Sequence, residues 1–387
     1  MNFNNIKSFL EKNDSSVKSK NDNTIEIGNC ILVFPLTRAN YLYKKYDILE
    51  LKTLVESSNG YVKTIFTQNI ISINSKFFIG KGKIEIIKNY IDNINIKNNI
   101  NTIVFNTELK GTQIRNLEKY LQLPILDKNM IILNIFSMHA KTYQAKLQVL
   151  LAKYQYLLPR LTNMWNHLDN QKGGIGLKGP GEKEIETDKR IINYKINILK
   201  NKISEIQKHT INQSHNRKSA VRISLVGYTN AGKSTIMNLL SNANVYVDNK
   251  VFSTLDTKIK RIYIKNYKCL LSDTVGFINN IPYNLIKSFK STLSEVQESD
   301  ILLHIIDITS EDIIRKIKSV NSILEDLNID KKKIILVFNK IDQLKNYNKC
   351  FLIKSKNLKI YISATENNNI NNLKNIIANY INNNLLL

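Results

Sequence analysis

The sequence predicts an α/β protein in which a doubly wound P-loop domain follows a small α/β domain and a helical-hairpin arm. Three observations carry that prediction. Strand-length apolar runs alternate with helix-spaced runs across 25–136 and again from 219 onward, the pattern of parallel βα units. Between them, two long segments repeat apolar residues at spacings of three and four, joined by a loop with five of the chain's 13 glycines. Finally, residues 227–235 read GYTNAGKST, a G-x-x-x-x-G-K-S pattern between a strand-like run and an apolar helical run.

A polar tail, 1–24, precedes the first α/β domain, 25–136. There Cys30–Leu36 reads as a strand, Ile48–Glu56 as a helix, Tyr61–Thr67 as a strand and Ile84–Ile94 as a helix. The strand Thr102–Phe105, the helix Gly111–Leu121 and the short strand Pro124–Leu126 complete it. Residues 137–218 form the arm. Leu147, Leu150, Leu151, Tyr154, Leu157, Leu158 and Leu161 stripe one helix within Ser137–Leu168, which Pro159 should kink. Ile185, Ile192, Ile196, Leu199, Ile203 and Ile206 stripe a second. A helix of about 30 residues is roughly 45 Å long, so the antiparallel pair is expected to project. The domain 219–387 opens on the strand run VRISLVG and closes on a helix near 370–384.

The composition excludes several classes. No apolar run reaches the roughly 18–20 residues of a membrane span, and the amino terminus lacks a secretory signal, so a cytoplasmic protein is expected. Three scattered cysteines, Cys30, Cys269 and Cys350, suggest neither a disulfide framework nor a zinc site. His304 lies in an apolar run and reads as a core histidine. The formal charge of +24 suits a polyphosphate partner, although a genome-wide bias toward Asn, Ile and Lys produces the same excess. The arm is sharper: 15 Lys and Arg stand against 6 Asp and Glu in 137–218. At its tip, Gly173, Gly174, Gly176, Gly179 and Gly181 with Lys172 and Lys178 could press backbone amides against RNA; a plain flexible tip is the alternative.

The chemistry is concentrated in 227–365. Gly227, Tyr228, Thr229, Asn230, Ala231 and Gly232 form a loop whose amides can wrap a β-phosphate at a helix start. Lys233 would reach the β and γ oxygens, the Ser234 hydroxyl would ligate Mg²⁺, and Thr235 continues the motif. Asp273, ending a strand run before Thr274, Val275 and Gly276, would hold Mg²⁺ through water, and the Gly276 amide would face the γ-phosphate. Phe252, Ser253, Thr254, Leu255 and Asp256 form a switch segment in which the Thr254 hydroxyl would complete the Mg²⁺ shell, with Thr257 as rival. Catalytic roles are thus expected of Lys233, Thr254 and Gly276.

Base choice comes from Asn339, Lys340, Ile341 and Asp342: a carboxylate can accept from N1–H and the 2-amino group of guanine, which adenine cannot satisfy. Ser363, Ala364 and Thr365 follow another strand run, and the Ala364 amide is a candidate donor to guanine O6. Phe277 occupies the position after Gly276 where a water-orienting glutamine is often found, so slow unaided hydrolysis is expected.

GYTNAGKST, FSTLD, DTVGFI and NKID resemble the HflX family of GTPases, as do NTELKGTQIRNLEKYLQLPILDKN, FIGKGKIEII, AKLQVLLAKYQYLLPRL and GGIGLKGPGEKEIETDKR outside the nucleotide motifs. The resemblance spans roughly 30–385. It implies a Mg²⁺-dependent GTPase that hydrolyses GTP to GDP and phosphate when stimulated by the ribosome, binds the large ribosomal subunit with its glycine loop against ribosomal RNA, and splits or rescues stalled ribosomes; a monomer is expected. A carboxy-terminal extension found in some members has no counterpart after the last helix. A GTP-dependent RNA or ribosome-assembly scaffold with negligible turnover is the alternative.

Overall fold

Strands that read as unbroken apolar runs are those a parallel sheet buries on both faces. In the computed structural model, β1 (Gly28–Leu36) is such a strand: Cys30 through Leu36 are all buried. The structure describes residues 25–37, 41–93, 100–164, 180–214, 220–241, 252, 258–279, 295–329, 334–344 and 357–384. They divide into two compact units, one of 1–138 with 146–202 and one of 139–145 with 203–387.

The first unit runs β1, α1 (Lys44–Ser57), β2 (Gly60–Asn69), α2 (Lys81–Asn93), β3 (Thr102–Phe105), α3 (Gly111–Leu121), β4 (Ile125–Asp127) and α4 (Lys128–His139). Its four strands are parallel in the order β2-β1-β3-β4, with a register shift between Cys30 and Ile31. Ile84 and Ile87 of α2 and Ile114 and Leu117 of α3 pack on one face, against Ile31, Val33, Ile103 and Phe105. The helix α1 starts four residues before the expected Ile48, and β2 is longer at both ends. The helix α4 has no counterpart among the sequence-based elements: Lys128 through Phe136 are all buried, so no apolar stripe distinguishes one face.

Two long helices follow, α5 (Tyr143–Met164) and α6 (Pro180–Ser214). The stripe expected within Ser137–Leu168 lies on α5 from Leu147 to Leu161, while Ser137 belongs to α4, which Ala140–Thr142 separates from α5. Pro159 lies inside α5. Pro180 opens α6, placing Gly181 in its first turn rather than in a loop; proline suits that position because its missing N–H would be unpaired there anyway. Lys172, Gly173, Gly174, Gly176, Lys178 and Gly179 lie outside the described residues.

The second unit carries β5 (Val221–Gly227), α7 (Lys233–Ser241), β6 (Lys258–Ile264), β7 (Tyr267–Asp273), β8 (Ile301–Asp307), α8 (Ile313–Asp326), β9 (Ile334–Asn339), β10 (Lys359–Tyr361) and α9 (Ile370–Asn384). The sheet order is β10-β9-β8-β5-β7-β6, parallel except for the antiparallel β6–β7 hairpin. Helices cover both faces. Ile236 and Met237 of α7 and Ile377 and Ile381 of α9 pack with Leu225 and Ile305; Val320 and Leu324 of α8 pack with Val226 and Phe338. The strand order reverses beside β5, so the carboxyl ends of β5, β7, β8 and β9 open toward one crevice, the usual ligand position in such sheets. Among the described residues, no helix is long and apolar enough to cross a membrane.

Candidate functional site: a phosphate-binding loop and a base-reading edge

The chain leaves β5 at Gly227 and enters α7 at Lys233, so five residues must turn back tightly at the helix start. Gly227 (φ +152°) and Gly232 (φ +94°) make that turn. A Cβ on Gly227 would lie 2.2 Å from the Ile305 carbonyl oxygen, and one on Gly232 would lie 2.2 Å from Asn339 Nδ2. No side chain fits at either position.

Lys233 is buried, 7% exposed, and its Nζ donates to the Tyr228 carbonyl at 2.9 Å and to that of Gly227 at 3.3 Å. Burial pulls its ammonium down to about 8, opposed by the nearby Asp273 carboxylate. The Ser234 hydroxyl donates to Asp273 Oδ2 at 2.6 Å. Thr274 Oγ1 ties the next residue to the Leu225 carbonyl at 2.6 Å. These two oxygens, hydroxyl and carboxylate, are the hard donors Mg²⁺ prefers. Among the described residues no three His, Cys, Asp or Glu side chains cluster as a metal cage, so a cation here needs phosphate and water for its remaining ligands.

The segment after Asp273 is stitched to the loop. Phe277 N–H donates to Gly227 O at 3.1 Å, Thr229 N–H donates to Phe277 O at 2.8 Å, and Asn279 N–H donates to the Tyr228 hydroxyl at 2.8 Å. The Phe277 ring is 4% exposed and sits in the apolar core with Val226, Leu302 and Phe338. It does not face the phosphate side. Phe252 is buried, with φ +60°; Ser253, Thr254, Leu255, Asp256 and Thr257 lie outside the described residues.

At the other end of the crevice, Asn339 spends its amide on two loops. Its Nδ2 donates to Ala231 O at 2.9 Å, and its Oδ1 accepts from Ala364 N–H at 3.0 Å. The Ala364 amide expected to meet guanine O6 is therefore engaged with Asn339, and O6 would share that proton. Asp342 Oδ1 accepts from the Ser363 hydroxyl at 2.6 Å, and that hydroxyl lies 3.1 Å from Thr365 Oγ1. Ile341 opens the short helical turn that presents Asp342. Lys340 (φ +67°) reaches back to Asn230 O at 2.9 Å and pairs with Asp307 Oδ2 at 2.7 Å.

Asp307 escaped the sequence reading. Its other oxygen accepts from Thr309 N–H and Oγ1 at 3.0 and 2.6 Å. The available signal was its place at the end of the apolar run ILLHIID, one strand over from Asn339. His304, earlier on the same strand, is 1% exposed, and its Nδ1 has no hydrogen-bond partner among the described residues; burial and then Lys233 push its imidazole down to about 3.

Residues 45–137 match the family described as GTP-binding GTPase N-terminal, 139–217 the GTP-binding GTPase middle region, and 222–340 the 50S ribosome-binding GTPase. GTPase HflX of Flavobacterium psychrophilum is 48% identical over 324 residues, covering 84% of this chain and 78% of that protein. The chain belongs to the HflX family of GTPases. HflX of Escherichia coli K12 is 36% identical over 304 residues, 78% of this chain and 70% of its own length. Among solved structures, the GDP complex of SsGBP aligns with a TM-score of 0.50 and 28% identity, covering 91% of this chain and 98% of SsGBP. Family membership makes 222–340 part of a GTP-hydrolysing P-loop domain.

Proposed function

We propose that the protein binds the large ribosomal subunit, hydrolyses GTP when stimulated by it, and in doing so splits or rescues stalled ribosomes. The observation that carries the stimulated part is the inward-facing Phe277. A phenyl ring cannot orient water by hydrogen bonding, and here it is buried in the core and pinned by two backbone bonds to the loop. A glutamine at this position would bury an amide among apolar groups rather than reach a nucleophilic water. The geometry that positions water must then come from a partner. The match of residues 222–340 to the 50S ribosome-binding GTPase family supports the ribosome as that partner.

In this reading the amides of 228–232 and Lys233 grip the β- and γ-phosphates, and Gly276 donates to the γ-phosphate. Ser234 and Asp273, with Thr254 when the switch closes, hold Mg²⁺, which would neutralise charge developing between the β- and γ-oxygens. Asp342, oriented by Ser363, accepts from guanine, while Asn339 braces the loop and Lys340 packs its stem on the base. Gly181 at the start of α6, with the glycines and lysines of 172–179, would contact ribosomal RNA. The protein acts as a cytoplasmic monomer that associates with ribosomes.

The test is GTP turnover by purified protein alone and with 50S or 70S particles, using Lys233→Ala as control. Strong stimulation, lost in the variant, is the expected outcome. Unaided turnover equal to the particle-stimulated rate would sink the proposal.

A further inference from the structure

The hairpin β6–β7 closes one edge of the sheet and is wholly basic up to Asp273 at its end. Residues 258–272 contain Lys258, Lys260, Arg261, Lys265 and Lys268 and no Asp or Glu, whereas the whole chain has 56 basic residues to 32 acidic. Lys260, Arg261, Lys265 and Lys268 are exposed. Three other cations of the unit, Arg222, Lys316 and Lys340, sit on carboxylates. These four make no ion pair among the described residues.

Their arrangement has a face. Ile262, Ile264, Cys269 and Leu271 point into the core. Side chains alternate along a strand and directly opposed residues share a side. The register Arg261↔Leu270 and Tyr263↔Lys268 therefore puts Arg261, Tyr263 and Lys268 together on the opposite face. Tyr263 is 71% exposed there. An uncovered aromatic ring flanked by cations without ion pairs among the described residues matches a nucleic-acid strand: cations track the phosphates and the ring stacks on a base. An acidic peptide would use the cations and leave the ring idle.

The hairpin also joins the two nucleotide-sensing segments. Its first residue, Lys258, follows the FSTLDT segment directly, and Lys258 is the cross-strand partner of Asp273. We propose that the exposed face of β6–β7 is an RNA-docking surface through which a bound RNA phosphate backbone acts on Asp273 at the end of β7. This rests on the ribosomal reading above for its choice of RNA.

The test compares Arg261→Glu/Lys265→Glu/Lys268→Glu with a charge-matched control, Lys318→Glu/Lys359→Glu/Lys374→Glu, elsewhere on the same unit. Affinity for deproteinised large-subunit ribosomal RNA is measured across a salt series, with fluorescent GDP affinity as the folding check. The hairpin variant is expected to lose at least about 10-fold in RNA affinity near 150 mM salt. Its log-affinity against log-salt slope should fall by about 2 to 3, near 0.9 per lost phosphate contact. GDP affinity should stay within about twofold. Tyr263→Ala should weaken binding at least about 5-fold with the slope unchanged. Equal losses in hairpin and control variants would overturn the proposal, as would polyglutamate competing as well as RNA at equal charge. Particle-stimulated hydrolysis separates the two readings. If wild-type protein is not stimulated yet the hairpin variant loses RNA affinity, the ribosomal function fails and the docking face stands. If stimulation and RNA affinity both survive in the variant, the docking face fails and the ribosomal function stands.

Discussion

Asp127 and Asp273 each close a parallel strand at its carboxyl end, and each carboxylate is wholly buried, yet their surroundings differ in kind. Asp127, ending β4, is met by a resident cation: Arg160 from α5 lies 3.3 Å away, with Glu108 on the same Nη2 at 2.9 Å and the guanidinium stacked 3.5 Å above the Tyr156 ring. The Met130 amide adds a bond at 2.9 Å. Burial pushes the Asp127 carboxyl up, and Arg160 opposes it. Asp273, ending β7, meets the Ser234 hydroxyl and the P-loop lysine. The same strand-end position is thus closed by the protein's own arginine in one unit. In the other it is furnished with oxygens suited to an exchangeable cation and phosphate. A parallel sheet provides the position, and the partner supplied to the aspartate decides whether it is structural or ligand-binding.

Four measurements would break or sharpen that contrast. The largest effect is expected from Lys233→Ala, which removes the donor proposed to grip the phosphates: stimulated kcat/KM should fall about 100- to 1,000-fold, the usual scale for one lost transition-state donor. Unchanged turnover would mean this crevice is not the hydrolytic site. Next, Arg160→Met strands the Asp127 carboxylate and should cost about 3–5 kcal/mol in chemical denaturation. Adding Asp127→Asn should recover much of it, with GTP affinity unaffected by either change. A loss below about 1 kcal/mol would show that the cluster is not what closes the first sheet.

Third, Asp342→Asn exchanges a charge-assisted acceptor for a neutral amide, so GTP affinity should drop about 10- to 100-fold. Equal GTP affinity in a direct titration would remove Asp342 from base recognition. The smallest effect concerns pH. His304 is held neutral in the fold and titrates near 6.5 when unfolded, so on acidification the unfolded chain takes the proton first. Stability should therefore fall as pH drops below about 6.5, at up to about 1.4 kcal/mol per unit, the loss continuing to about 3. His304→Leu should flatten that slope in denaturation midpoints measured at pH 7 and 5.

Local order made much of the second unit readable. A P-loop, the Asp273 segment and the Asn339–Asp342 segment each follow an apolar strand run, and the structure places them at strand ends on the same side of the sheet because parallel strands all point the same way. The helix α3 and the strand β3 matched the periodic reading residue for residue. The helix α4 did not, since a segment buried on every side has no stripe to read. The roles of Asp307 and Arg160 were equally invisible. Each pairs with a residue 33 positions away, and spacing within one element carries no record of that.

By itself the sequence determined the chemistry available: which residues turn a loop around phosphate, which oxygens could hold a cation, and which carboxylate could choose guanine. Those properties are local, set by residue type and by neighbours a few positions apart. Only the tertiary structure decided how they are used. It buried Phe277 in the core and occupied the Ala364 amide with Asn339. It also brought Asp307 onto Lys340 and left one face of the β6–β7 hairpin to solvent. Those outcomes depend on which strands become neighbours and which faces the helices cover, and that is settled only when distant segments compete to bury their apolar surface.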